Sequence, residues 1–136
     1  MLETSLYNYL AAETNITAIT STRIYQHFRD QNAALPAITI RTISKPHIHN
    51  LSGSAGASRA RVQIDSWAAD LATCLSLAEE VRQSLQGFRG DMSGTTIGSC
   101  LLDNEVHLHE RNDGEQFGTF HIASDFLIIF DEEIPS

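Results

Sequence analysis

An α+β fold, a single mostly antiparallel four- to five-stranded sheet with two helices packed on one face, is what this sequence of 136 residues predicts. Three observations carry that expectation. Apolar residues recur at helical spacing near the start of the chain and again between Leu71 and Leu85. Two-residue alternation runs from Arg59 to Trp67 and marks the apolar face of 117–130. Asn112-Asp113-Gly114 is a turn signal between the last two extended segments, which makes them an antiparallel hairpin. The length suits one domain over 1–136, enough to bury roughly two-thirds of the unfolded surface.

The elements follow in order. Leu2, Leu6, Tyr9 and Leu10 form one stripe, so 2–12 reads as a helix. A short helical turn from Asn15 to Thr20 follows, with Thr14 or Asn15 as its cap. Arg23 to His27 reads as a short strand. Pro36 opens a stronger one from Ile38 to Ile43, because a missing N–H breaks no ladder bond at a strand's first position. Residues 45–58 hold Pro46, Gly53, Gly56 and several Ser and Ala, a composition that predicts a flexible loop. In the strand from Arg59 to Trp67, Ala60, Val62, Ile64 and Ser66 face one way and Arg59, Arg61, Gln63, Asp65 and Trp67 the other. Asp70 caps a helix running to about Gln86, whose stripe is Leu71, Cys74, Leu75, Ala78, Val81 and Leu85, and Gly87 suits its C′ position. A Gly-rich connection spans 89–96. Ile97 to Glu110 reads as one or two strands, bent near Gly98 or Asp103. The last strand places Phe120, Ile122, Ser124, Phe126, Ile128 and Phe130 on one face, and the charged tail 131–136 is expected to fray.

Composition narrows the function. The longest apolar run, Phe126 to Phe130, is too short to cross a bilayer, and the Met1-Leu2-Glu3 start carries no basic signal region. Cys74 and Cys100 are too few for a disulfide scaffold and read as buried thiols. The net charge of −8 is unevenly spread. Residues 1–90 carry eight basic and seven acidic side chains, whereas 91–136 carry ten acidic ones and only Arg111. That asymmetry points to a contact surface and excludes specific nucleic-acid binding, which needs a cationic excess to neutralise phosphates.

Catalytic motifs are missing: there is no Gly-x-Ser-x-Gly elbow, no phosphate loop and no dinucleotide fingerprint. The pairs His47-x-His49 and His107-x-His109 are weak metal candidates, since residues i and i+2 of a strand share a side. With Asp103 and Glu105 beside them, a small metal-dependent hydrolase is one alternative, and a generic bacterial interaction module another. Cross-strand ion pairing of Arg59 and Arg61 with Asp103 and Glu105 is the simpler use of those charges, and Trp67 fits packing in the core or at an interface.

Several short stretches carry a resemblance: Thr22-Arg23-Ile24-Tyr25, Leu35-Pro36-Ala37-Ile38, Arg59 through Ala68, Ala78-Glu79-Glu80-Val81-Arg82, Leu85 through Gly90, and Asp125-Phe126. Over 2–130 the sequence resembles the phage tail-completion or tail-terminator-like proteins of siphophage and prophage tail gene clusters. The resemblance implies a small sheet with flanking helices and a hexameric ring where the tail tube ends. It also implies no enzyme activity, no cofactor and no catalytic residue. The expected partners are further copies of the chain, the tail tube protein and a head-completion or connector protein. The expected place is the virion tail, after synthesis in the host cytoplasm, with DNA passing through the ring. In such a ring, Arg41, Arg59, Arg61 and Trp67 would meet Asp103, Glu105, Glu110, Asp113 and Glu115 of the next subunit. The segment with His47, Leu51, Gly53 and Gly56 would be held for a partner.

Overall fold

The computed structural model describes residues 2–27, 34–45, 47–50, 53–111 and 118–131. Three helices cover one face of a seven-stranded sheet. The elements are α1 (Leu2–Ala12), α2 (Thr14–Thr20), β1 (Ile24–Gln26), β2 (Ala37–Ser44), β3 (His47–Asn50), β4 (Gly53–Ala68), α3 (Leu71–Leu85), β5 (Gly90–Met92), β6 (Thr95–Glu110) and β7 (Thr119–Asp131). The strand order is β1-β2-β4-β7-β6-β5, with β3 also pairing β4. Every pairing is antiparallel except β1 with β2. The sheet is therefore mostly antiparallel, as expected, but larger than four or five strands, and a third helix joins the two.

The extra strands arise where partners are distant in sequence. β5, inside the expected connection 89–96, pairs Gly90–Met92 with Thr95–Ile97. The segment 45–58, expected as a loop, instead carries β3 and the first part of β4, with His47 opposite Ser58 and Asn50 opposite Gly53. Leu51, one of the expected partner-binding residues, lies outside the described residues, as do Pro46, Ser52 and the tail 132–136.

Alternation decides which face each strand buries. Ala60, Val62 and Ile64 on β4 and Phe126 and Ile128 on β7 are fully buried, beside Ile38 and Ile40 of β2. Leu2, Leu6 and Leu10 of α1, Ile16 of α2 and Leu77, Val81 and Leu85 of α3 close over them in one continuous core. All three helices thus lie on the same face. Fully burying each such Leu, Ile or Phe contributes up to about 1.5–3 kcal/mol. The α1 and α3 layers are tied by the Tyr9 hydroxyl, which donates to the Ser84 carbonyl at 2.9 Å, and by the Tyr9 ring against Phe88.

Capping fixes α3. The Asp70 carboxylate accepts from the Thr73 amide at 2.8 Å, and Gly87 takes φ +79° just past the end. Its buried stripe differs from the expected one. Cys74, Leu77, Ala78, Val81 and Leu85 are buried, while Leu71 and Leu75 are exposed. Helix α2 starts on Glu13 with no side-chain cap, so neither Thr14 nor Asn15 plays that part.

β6 is one long strand with two bulges, opposite Phe130/Ile129 and Phe126/Asp125. Gly98 and Asp103 are the extra residues, the two places where a bend was expected.

Candidate interaction surface

The face of the sheet away from the helices has no covering element among the described residues. Register assigns it row by row. Asn104, Asp125, Gln63 and Arg41 form one row, and Val106, Ala123, Asp65 and Thr39 the next. Leu108, His121 and Trp67 follow. Ser99, Ile129 and Arg59 lie at the other end. The face combines exposed hydrophobics with charge. Leu101, Val106, Leu108 and Ile129 keep 41–50% of their surface in contact with solvent. They form two pairs on that face, Leu101 with Ile129 and Val106 with Leu108, on either side of the Asn104–Asp125 row.

Arg61 is the hub of the charges. Its Nη1 lies 2.9 Å from Asp103 Oδ2 and 3.6 Å from Asp125 Oδ2. The expected pairing of Arg61 with acidic residues is therefore met inside the subunit. At this exposure such a pair contributes about 0–1 kcal/mol. Arg41 and Arg59 are exposed and make no ion pair among the described residues. Glu110, also exposed, belongs to the open face through its pairing with Thr119. Asp113 and Glu115 lie outside the described residues.

The bulge at Asp103 separates two carboxylates that spacing alone would put side by side. Asp103 reaches Arg61 on the open face. Glu105 pairs with Ser124 and so belongs to the helix side. His107 and His109 share that side: His107 Nε2 is 2.7 Å from a Glu105 carboxylate oxygen, and the His109 ring stacks on Phe120 at 4.3 Å. Asp103 and Glu105 thus make no paired-carboxylate site. The two His-x-His pairs lie at opposite ends of the sheet. His47 sits opposite Ser58 of β4, whereas the His107 row runs through Ile122 to Ser66. Eight residues of strand separate them, roughly 27 Å. No three His, Cys, Asp or Glu side chains come together as metal ligands among the described residues. Both thiols are buried in the core, which pushes Cys74 up to about 11 and Cys100 up to about 12.

One cluster on this face escaped the sequence. Trp67 stacks on His121 with ring centroids 3.8 Å apart and donates through Nε1 to the Thr39 hydroxyl at 3.0 Å. Thr39 in turn donates to Asp65 Oδ2 at 3.4 Å, and Gln63 Nε2 donates to Asp65 Oδ1 at 2.7 Å. His121 Nε2 is 3.3 Å from Asp65 Oδ1, yet neither ring nitrogen of His121 makes a hydrogen bond. Asp65 and His121 are buried on a face with no layer over it, because the Trp67 ring and neighbouring strands enclose them. The alternation of β4 placed Asp65 and Trp67 together; only the β4–β7 register, a long-range fact, brings His121 to them.

β6 also presents an edge. Beyond Ile97 it has no β5 partner. Gly87 donates to the Cys100 carbonyl at 2.8 Å, and the Gln86 side chain accepts from the Leu102 amide at 2.6 Å. From Asp103 to Glu110 all eight residues are exposed, and no described backbone pairs with the outer side.

A solved structure of the same fold exists. The chain superposes with a TM-score of 0.78, at 16% identity, on a chain from the "Virion of native gene transfer agent (GTA) particle", covering 96% of this chain and 94% of that one. No curated protein matches the chain. Fold and sequence signal together define a structural protein of phage-type tails. Residues 4–131 match the model of the tail completion protein gp17 family, and the chain belongs to that family.

Proposed function

We propose that this protein completes a tail by assembling with copies of itself into a ring at the end of the tail tube. There it caps the tube, joins it to the head, or does both. The observation that carries the reading, beside the family, is the contrast between two faces of one sheet. One carries three helices; the other has no covering element among the described residues, is apolar in part, and is flanked by unlike charges. A closed ring needs a heterologous interface in which two different patches meet. Arg41 and Arg59, free of ion pairs among the described residues, are the cationic half. Glu110, with Asp103 shared by Arg61, is the acidic half on that face, and Glu105 adds its charge from the helix side of the same strand. Trp67 contributes through the cluster it shields. The hairpin of β3 and β4, with His47, His49, Gly53 and Gly56, runs past Ala57–Asp131, the last pair between β4 and β7. It is the segment offered to the tube protein or the head connector. Acidic residues lining a lumen would let DNA pass without sticking, because DNA binding is driven by cations.

The test is tail morphology without the protein. An uncapped polymer keeps growing, so loss of a cap yields tubes of uncontrolled length. Loss of a joint yields tubes of normal length that stay detached from filled heads. Tails that remain normal in length and attached would rule the reading out.

A further inference from the structure

The outer edge of β6 from Asn104 to Glu110 has no partner strand among the described residues. An exposed edge strand is a template for pairing with another chain, and proteins usually blunt it with bulges, covers or short length. Here the blunting stops halfway. Two bulges, β5 and the Gln86-Gly87 corner deal with the first half of β6. From Asn104 to Glu110 the pairing with β7 is unbroken, and the outer side has no described partner. This stretch shows Val106 and Leu108 on its open face and carries Glu105 and Glu110, with no Lys or Arg.

The opposite edge of the sheet is its complement. β1 covers β2 only from Ile38 to Ile40, so Arg41 to Ser44 has no outer partner among the described residues. That stretch bears an exposed Ile43 and the exposed Arg41, and β2 as a whole has no Asp or Glu. Arg41 lies on the same open face as Val106, Leu108 and Glu110.

We infer that the occupant of the β6 edge is a second copy of this chain: Asn104–Glu110 of one subunit adds as a further strand beside Arg41–Ser44 of the next. Backbone hydrogen bonds supply the affinity of such strand addition, and side chains supply its register. β6 against β2 sets the Glu110 carboxylate and the Arg41 guanidinium on one face of the joint sheet, whereas a second β6 edge would offer Glu110 no Lys or Arg. The contact is therefore head-to-tail, the kind that closes into a ring rather than a two-fold dimer. This inference rests on the ring reading and names its seam.

Cysteine cross-linking tests it, since Cys74 and Cys100 are buried and do not compete. Ile43→Cys and Val106→Cys proteins are mixed at high concentration under mild oxidation, and Leu108→Cys replaces Val106→Cys in a parallel mixture. The expected result is a disulfide dimer in the mixtures and little in either variant alone, because the two positions belong to different edges. Arg41→Glu should lower the yield at least about fivefold, and adding Glu110→Lys on the partner should restore it. A dominant Val106→Cys homodimer, or no adduct in any mixture, overturns the inference. Native mass measured on the same samples separates the two readings: a ring-sized species without the cross-link overturns the seam alone, whereas subunits that never associate overturn the ring as well.

Discussion

At the scale of single residues, the open face is organised by Trp67, His121, Asp65 and Thr39. His121 is 8% exposed and its ring nitrogens make no hydrogen bond, although Nε2 lies 3.3 Å from Asp65 Oδ1. Its use is the flat ring that stacks on Trp67. His121→Phe keeps the stack and removes the orphaned nitrogens. Urea unfolding should show unchanged stability or a gain of about 1 kcal/mol. A clear loss would mean that the nitrogens are satisfied. The thiols give a pH-dependent reading. Burial raises Cys74 to about 11 and Cys100 to about 12, so at pH 8 both stay protonated and shielded. A chromogenic disulfide reagent should find almost no reactive thiol in the native protein at pH 8 and two after denaturation. The sign is fixed: raising the pH towards those values increases the thiolate fraction and the native rate, while lowering it does the reverse.

At the scale of elements, two glycines separate strain from collision. Gly87 (φ +79°) ends α3 with open space where a Cβ would stand. Gly118 (φ +78°) leads into β7, and a Cβ there would run into the Glu110 carbonyl. Gly87→Ala should cost about 1 kcal/mol for the left-handed backbone. Gly118→Ala should cost clearly more, because the close of the β6–β7 hairpin must also move. Thermal melts of the two variants side by side check the order. This contrast also explains what the sequence made legible. The Asp70 cap, the Gly87 terminus and the alternation of β4 are local signals, written within a few residues, and each was readable. β3 and β5 were not, because His47–Asn50 and Gly90–Met92 are too short to show an alternation of their own; what makes them strands is a partner supplied by the fold. Leu71 and Leu75 fit a helical stripe as well as Leu77 does, and only the position of the sheet decides which are covered. The open-face candidates Arg41, Arg59, Arg61 and Asp103 were legible as charges on alternating strands. The split of Asp103 from Glu105 was not, since no spacing rule announces the register shift between Leu102 and Asn104.

At the scale of the whole molecule, an interface built on Arg41 and Arg59 against an acidic partner must respond to ions. Salt screens exposed charges beyond about 8–10 Å near physiological strength. Assembly, followed by light scattering, should weaken as salt rises. Arg41→Glu with Arg59→Glu should weaken it most at low salt while leaving the melting temperature of the monomer nearly unchanged, since both side chains are exposed. Equal assembly of wild type and variant at every salt concentration would show that these arginines lie elsewhere. The Asp103 bulge carries a last consequence, about heredity. Because Asp103 is the odd residue opposite an intact pair of neighbours, the chain can lose it and keep every other cross-strand partnership. A Δ103 variant should fold nearly as well as its parent, giving up only a surface ion pair, whereas deleting Val62, paired on both sides, should abolish folding. β6 is then a place where a lineage can change the length of its message by one letter and leave its meaning alone.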